Sequence, residues 1–324
     1  MTKKIFKYAK RLLPLIGIII FVYLIYRLDI EDIIDAISQI SPFYIVLSLV
    51  LTIPVVIFRN YAWQLILKEQ KIEVSFLTSL KILLIGYFYG TITPGYLGQV
   101  MRVPYLKERT GDPYGKIFIN VFIETAIRTL SLYVMMVVGA LLIIGLFPEL
   151  FHITFAWIVI FTIILLYFIK KERGEKLLCF LIQYFIPKRA KSHFNRFVDT
   201  FYQDFPKIRK LIFPLFLGGF TWIIIFTQEY LIVLGLGLDI PYFYFLLLFP
   251  IANTAGFIPI TFAGLGTREL TAIFIFSTLF FIAEEKIFVL SILGFLITDI
   301  SISFIGFLLS LTETRKEMEF PPIS

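Results

Sequence analysis

The sequence predicts an all-α polytopic membrane protein: six full transmembrane helices plus two broken, re-entrant helical hairpins arranged as an inverted repeat. Three observations predict it. The first is composition, since 59% of the 324 residues are hydrophobic and 16% charged, against roughly 45–50% and about 25% in soluble domains. Too little polar surface remains to face water. The second is a series of apolar segments long enough to cross a hydrocarbon core about 30 Å thick. The third is a short motif that occurs twice, in units of opposite orientation.

Taken in chain order, residues 12–27 are apolar behind a basic start. Arg27, Leu28 and Asp29 follow where a cleavage site would need small residues, so the segment reads as a retained signal-anchor. Residues 29–40 carry Ile30, Ile33, Ile34, Ile37 and Ile40 on one face and read as an outer interfacial helix. Straight spans follow at 43–60, 117–144, 152–169, 211–236 and 287–311. The stretches 74–106 and 243–283 are each interrupted near the middle by Gly, Pro and Thr and read as hairpins. In 192–205, Phe194, Phe197, Val198, Phe201, Tyr202 and Phe205 recur at helical spacing opposite Arg196, Asp199 and Asp204, an inner interfacial helix. It serves as a structural collar or, through Lys188, Arg189 and Lys191, as a lipid-head contact.

Basic residues fix the direction. Residues 1–11 and 170–210 are rich in Lys and Arg, whereas 28–42 carries Asp29, Glu31, Asp32 and Asp35 without either. Cytoplasmic loops collect positive charge, so both termini are placed in the cytoplasm and the protein in the cell membrane. The chain is then one membrane domain, 1–324: anchor and outer helix (1–42), first repeat (43–144), extra span and basic loop (145–210), inverted second repeat (211–311) and cytoplasmic tail (312–324).

Several functions are excluded. One cysteine, Cys179, allows no intrachain disulfide, and two histidines without cysteine partners offer no zinc, haem or iron–sulfur set, so neither a metal nor a cofactor is expected. The net charge of +7 lies in loops on one side, which argues for topology and against nucleic acid. The Gly-x4-Gly-Lys-Ser/Thr pattern is absent, and no Asp-x-x-Asp pair falls in a span or hairpin. No catalytic residue is assigned, and an enzyme is not expected.

A shift of 168 positions sets Ile92-Thr93-Pro94-Gly95-Tyr96-Leu97-Gly98-Gln99 over Ile260-Thr261-Phe262-Ala263-Gly264-Leu265-Gly266-Thr267, with four of eight identical. Both motifs fall at hairpin tips. Inverted repeats with discontinuous helices recur in transporters, where freed backbone groups face a substrate cavity. The tip glycines either admit an anionic head group to a helix N-terminus or let helices pack closely. Thr93, Pro94, Gly95, Gly98, Gln99, Arg102, Gly264, Gly266, Arg268 and Glu269 are the candidate substrate contacts, with both arginines placed to pair with phosphate. Among intramembrane charges, Glu124 and Arg128 stand at i and i+4 as a self-neutralising pair. Glu229 and Asp299 have no partner in their own spans, which suits a proton or cation site or a contact with a cationic group. His152, Trp63, Trp157 and Trp222 are read as interface or packing residues.

Pro94-Gly95-Tyr96-Leu97-Gly98-Gln99-Val100-Met101-Arg102 and Pro259-x4-Gly264-Leu265-Gly266-x-Arg268-Glu269 resemble the two signature segments of the flippase-like membrane domain of lysylphosphatidylglycerol synthases, in its stand-alone branch. The chain departs from the family at Tyr96, often basic or small there, and at Gln99, often acidic. The resemblance implies inverted repeats with re-entrant helices and movement of a polar, anionic, aminoacylated or glycosylated lipid between leaflets. With no synthase domain in view, the expected partners are membrane lipids and a separate lipid-modifying enzyme. The rival readings are a non-catalytic partner of such an enzyme and a membrane-embedded lipid transferase.

Overall fold

The structure, a computed structural model, describes residues 15–169, 173–174, 176, 197–202, 204–258, 261 and 263–319. The elements in order are α1 (Leu15–Leu28), α2 (Ile30–Ser38), α3 (Pro42–Glu69), α4 (Phe76–Thr91), α5 (Arg102–Thr110), α6 (Tyr114–Leu142), α7 (Pro148–Ile169), α8 (Ile208–Gly235), α9 (Tyr242–Gly256), α10 (Thr267–Phe280), α11 (Glu284–Phe295) and α12 (Ser301–Glu319). A 3-10 turn, Leu97–Met101, leads into α5, and a π turn, Leu296–Ile300, joins α11 to α12. Among the described residues every regular element is helical.

Local chemistry sets the helix ends. Asp29 caps α2 by accepting from the Glu31 N–H at 3.2 Å, and Ser75 caps α4 by accepting from Thr78 at 3.2 Å. Gly111, at φ 73°, ends α5 in the left-handed conformation that glycine adopts without strain.

Among the described residues, five helical runs are long and apolar enough to cross a membrane: α3, α6, α7, α8 and the α11–α12 run Glu284–Thr312. Of the predicted first span, 12–14 lie outside the described residues and the apolar part of α1, Ile18–Leu28, is a short helix. The last span contains the π turn Leu296–Ile300, and α3 extends to Glu69 where an end at 60 was expected. Much of the basic stretch, and residues 192–196 and 203 of the inner interfacial helix, also lie outside the described residues; within that helix Val198 and Phe201 are buried, Phe201 in a cluster with Ile66, Ile119 and Ile123. In α2, Ile33 and Ala36 are buried while Ile30, Ile34 and Ile37 stay exposed, as suits a helix lying on a surface.

The two interrupted stretches fold as helix, irregular tip and helix. At 16 and 15 residues, α4 and α9 are about 24 and 22 Å long, less than the hydrocarbon thickness. Their second legs differ: α5 is short and polar, α10 longer and apolar.

Packing joins the halves. α3 lies against α8, α4 against α12, and α9 against α6. Glycine allows the last two contacts, because a Cβ at Gly306 would fall 2.0 Å from the Leu84 carbonyl oxygen and one at Gly139 would fall 1.8 Å from that of Leu247. The main core gathers Phe226, Phe245, Phe249, Phe276 and Phe288, and a second one surrounds Trp63 and Leu106. The Glu69–Lys71, Asp112–Lys116 and 204–210 segments meet at one end through Lys210–Glu69 (3.4 Å), Lys71–Asp204 (3.1 Å) and Lys116–Asp204 (3.6 Å). Ser41 bonded to Gly235, and Arg27 paired with Glu284, belong to the other.

Candidate polar chamber

The first tip is held by its own threonine. Thr93 Oγ1 donates back to α4 carbonyls and accepts from the Gly98 N–H at 2.7 Å, while Tyr96 takes a left-handed conformation, φ 57°. The following residues fold onto a glycine face of α4. A Cβ at Gly86 would lie 2.4 Å from Arg102 Cγ and one at Gly90 2.8 Å from Gln99 Cγ, so the Gly86-x3-Gly90 spacing makes the room that these two side chains occupy.

Arg102 is thereby fully buried, with Nη2 2.8 Å from Glu124 and 3.0 Å from Thr125. Arg59, from the middle of α3, reaches the other carboxylate oxygen at 3.3 Å and donates to Gln99 Oε1 at 2.9 Å, with its guanidinium 4.1 Å from the Tyr87 ring. Arg128 lies 3.9 Å from Glu124 and stacks 5.3 Å from Trp222. Glu124 is therefore not half of a local pair with Arg128; it is the common anchor of three arginines, and the i,i+4 partner is the most distant. Arg59 Nη1, Arg102 Nη1 and Arg128 Nε have no hydrogen-bond partner. Buried guanidinium donors left open are costly, so they mark a place where something else binds.

The second tip is built differently. Glu269 accepts from the Gly266 N–H at 2.6 Å, from Arg268 at 2.5 Å and from Ser291 at 3.2 Å. The helix N-terminus expected to receive an anion is capped by the protein's own carboxylate, and Arg268 is committed to that carboxylate and to Ser291. Glu229 sits against Gly294 with Oε2 unpartnered. The two tips touch: Tyr96 OH donates to Asp299 in the π turn at 3.2 Å and lies 3.4 Å from the Ala263 carbonyl.

Between the tips lies a small chamber lined by Arg59, Tyr87, Tyr96, Gln99, Arg128, Trp222, Asn253, Phe257 and Asp299, among others. Its free volume of about 30 Å³ is room for one or two waters. It adjoins a larger groove of about 310 Å³ along α6, walled by Leu97, Val100, Phe118, Val121, Phe122 and Tyr133, with Tyr96, Gln99, Arg128 and Phe257 common to both. Of the expected site residues, Gln99, Arg128 and Asp299 line the chamber and Gly95 the groove. Thr93, Pro94, Gly98, Arg102, Glu124, Glu229, Gly264, Gly266, Arg268 and Glu269 line neither. Arg59 and Trp222 were missed. The signal for Arg59 was a lone arginine deep in an apolar helix, hidden because the span was ended at 60. Trp222 is no mere packing residue: it donates to the Arg128 carbonyl at 2.9 Å and forms a chamber wall.

The family profile described as "Lysylphosphatidylglycerol synthase TM region" matches residues 12–306. The UPF0104 membrane protein MJ1595 of Methanocaldococcus jannaschii is 22% identical over 82% of this chain and 84% of its own length. The UPF0104 membrane protein PH1989 of Pyrococcus horikoshii is 22% identical over 81% and 84%.

Proposed function

The chain belongs to the lysylphosphatidylglycerol synthase TM-region family, and from that premise we propose that it is a flippase-like transporter that moves a polar lipid between the two leaflets. One observation carries the reading: a chamber walled by Arg59, Arg128 and Asp299 adjoins an apolar groove and shares Tyr96, Gln99, Arg128 and Phe257 with it. Charged side chains are kept at membrane depth where they serve a pathway. At about 30 Å³ the chamber holds only water, so a lipid head group would enter it as the two halves part, with its chain along the groove.

The exchanged packing supports an inverted repeat. α4 of the first half lies on α12 of the second and α9 of the second on α6 of the first, each over a glycine of the long span. Rocking of one half against the other around the tips would expose the chamber to each side in turn. The end that gathers Lys71, Lys116 and Lys210 is assigned to the cytoplasm, by the same excess of positive charge that places both termini there.

The test is head-group accessibility in proteoliposomes made with the host's lipids. Exchange should exceed that of protein-free vesicles and should be lost in Asn253→Trp, which fills the chamber. No exchange, with or without an imposed proton gradient, would sink the transport reading and favour a non-catalytic partner of a lipid-modifying enzyme.

A further inference from the structure

We infer that the lipid phosphate is held by Arg59 and Arg128, not by the tip arginines Arg102 and Arg268, and that the chain it carries leaves through the groove between the first tip and α6. The inference rests on the transport reading only for its purpose; the binding site stands on geometry.

The four membrane-embedded arginines are not equally free. Arg102 is fully buried and bonded to Glu124, Thr125 and the Gln99 carbonyl, and though its Nη1 stays open, the residue does not line the chamber. Arg268 is bound to Glu269 and Ser291 and does not line it either. Arg59 and Arg128 do, and each keeps an unpartnered donor, Nη1 on Arg59 and Nε on Arg128. Rings of Tyr87 and Trp222 lie against their guanidinium groups, and the open Nη1 of Arg59 and Nε of Arg128 are the donors that an oxyanion would take. Around Glu124 three guanidiniums face one carboxylate, so this wall keeps a positive excess that a phosphate would offset.

The groove supplies the second half of the ligand. Arg128, Gln99, Tyr96 and Phe257 line both spaces, so a phosphate at Arg128 would have the apolar groove next to it. Leu97, Val100 and Phe122 along it are exposed although apolar, the surface that an acyl or prenyl chain would cover. A lipid phosphate and a free phosphate ester share the head-site chemistry; only the former uses the groove.

Binding to the full-length protein in detergent would be measured with three probes: didecanoyl phosphatidylglycerol, didecanoylglycerol with the same chains and no phosphate, and glycerol 3-phosphate with no chains. Wild type should bind the first at least about tenfold more tightly than the second, the worth of one or two charge-assisted hydrogen bonds. Arg128→Gln should lose about tenfold for phosphatidylglycerol and glycerol 3-phosphate alike, with partial recovery in Arg128→Lys. Val100→Trp should weaken phosphatidylglycerol and leave glycerol 3-phosphate unchanged. Wild-type affinity in Arg128→Gln combined with loss in Arg268→Ala would move the phosphate to the second tip and overturn the inference. Equal weakening of both phosphate probes by Val100→Trp would remove the groove from it. Binding as expected without leaflet exchange keeps this site and refutes transport; exchange without phosphate-dependent binding does the reverse.

Discussion

The two interrupted stretches both fold as helix, irregular tip and helix, and the charges around them differ in sign. Around the first tip, Arg59, Arg102 and Arg128 converge on Glu124; around the second, Glu269 takes Arg268 while Glu229 and Asp299 carry further carboxyl groups. The 168-residue shift that aligns Thr93 with Thr261 and Gly98 with Gly266 pairs none of these charges: Arg59 falls on Thr227, Glu124 on Ile292, Arg128 on Leu296, Asp299 on Ser131 and Glu229 on Tyr61. Thr93 holds the first turn through the Gly98 N–H, whereas the Thr261 hydroxyl at the second tip has no hydrogen-bond partner, so the motif match does not extend to its bonding. The chamber between the tips has a basic and an acidic wall.

This contrast is open to direct attack, and the largest expected effect is at the shared anchor. Glu124→Gln should destabilise the protein by about 3–5 kcal/mol, because three buried guanidiniums lose their counter-charge. Glu229→Gln should leave stability close to wild type, since its Oε2 has no partner to lose. Melting in detergent checks both, and equal losses would mean that the acidic half is as tightly anchored as the basic one.

Next come the tip glycines. Gly266→Ala must hold a side chain at φ 87°, for about 1–3 kcal/mol. Gly98→Ala should cost more, because its Cβ would lie 2.0 Å from the Tyr89 carbonyl oxygen and α4 would have to move away. A reversed order, read from folded yield and melting temperature, would show that the first tip yields more easily than its packing implies.

The bridge between halves is weaker. Tyr96→Phe removes the hydroxyl that reaches Asp299 and Ala263, for about 1 kcal/mol. A double-mutant cycle with Asp299→Asn should find the two effects coupled, and strict additivity would remove the latch.

The smallest effect is expected at the surface. A hydrogen bond from Lys71 holds the exposed Asp204 carboxyl below its ordinary value of 3.8. The folded form binds this proton less readily than the unfolded chain, so the contribution is present above about pH 4 and fades as the pH falls through that range. Asp204→Asn should shift melting only slightly at neutral pH and low salt, and not at all in acid or at high salt.

Much of the fold was legible in the sequence because lipid imposes strong local rules. Length and hydropathy found α3, α6, α7, α8 and the last span, and Gly, Pro and Thr marked both interruptions. The site was less legible. Arg102 and Arg268 stand in the motifs and looked like ligand contacts, yet each is bound to a partner 22 or 23 positions away, Glu124 for one and Ser291 for the other, and neither lines the chamber. Arg59 carries no motif at all, and its partners Gln99 and Glu124 are 40 and 65 residues distant.

Composition, the loop charges and the interrupted hydropathy by themselves determined that this is a multi-pass helical membrane protein with two irregular tips, because each rule acts within about one helix length. Only the tertiary structure decided which arginines keep open donors, that Glu269 caps its own helix, and that a chamber and a groove meet at Arg128. Hydrogen-bond satisfaction is a property of the whole assembly: whether a buried donor is spent or free depends on side chains brought from distant helices.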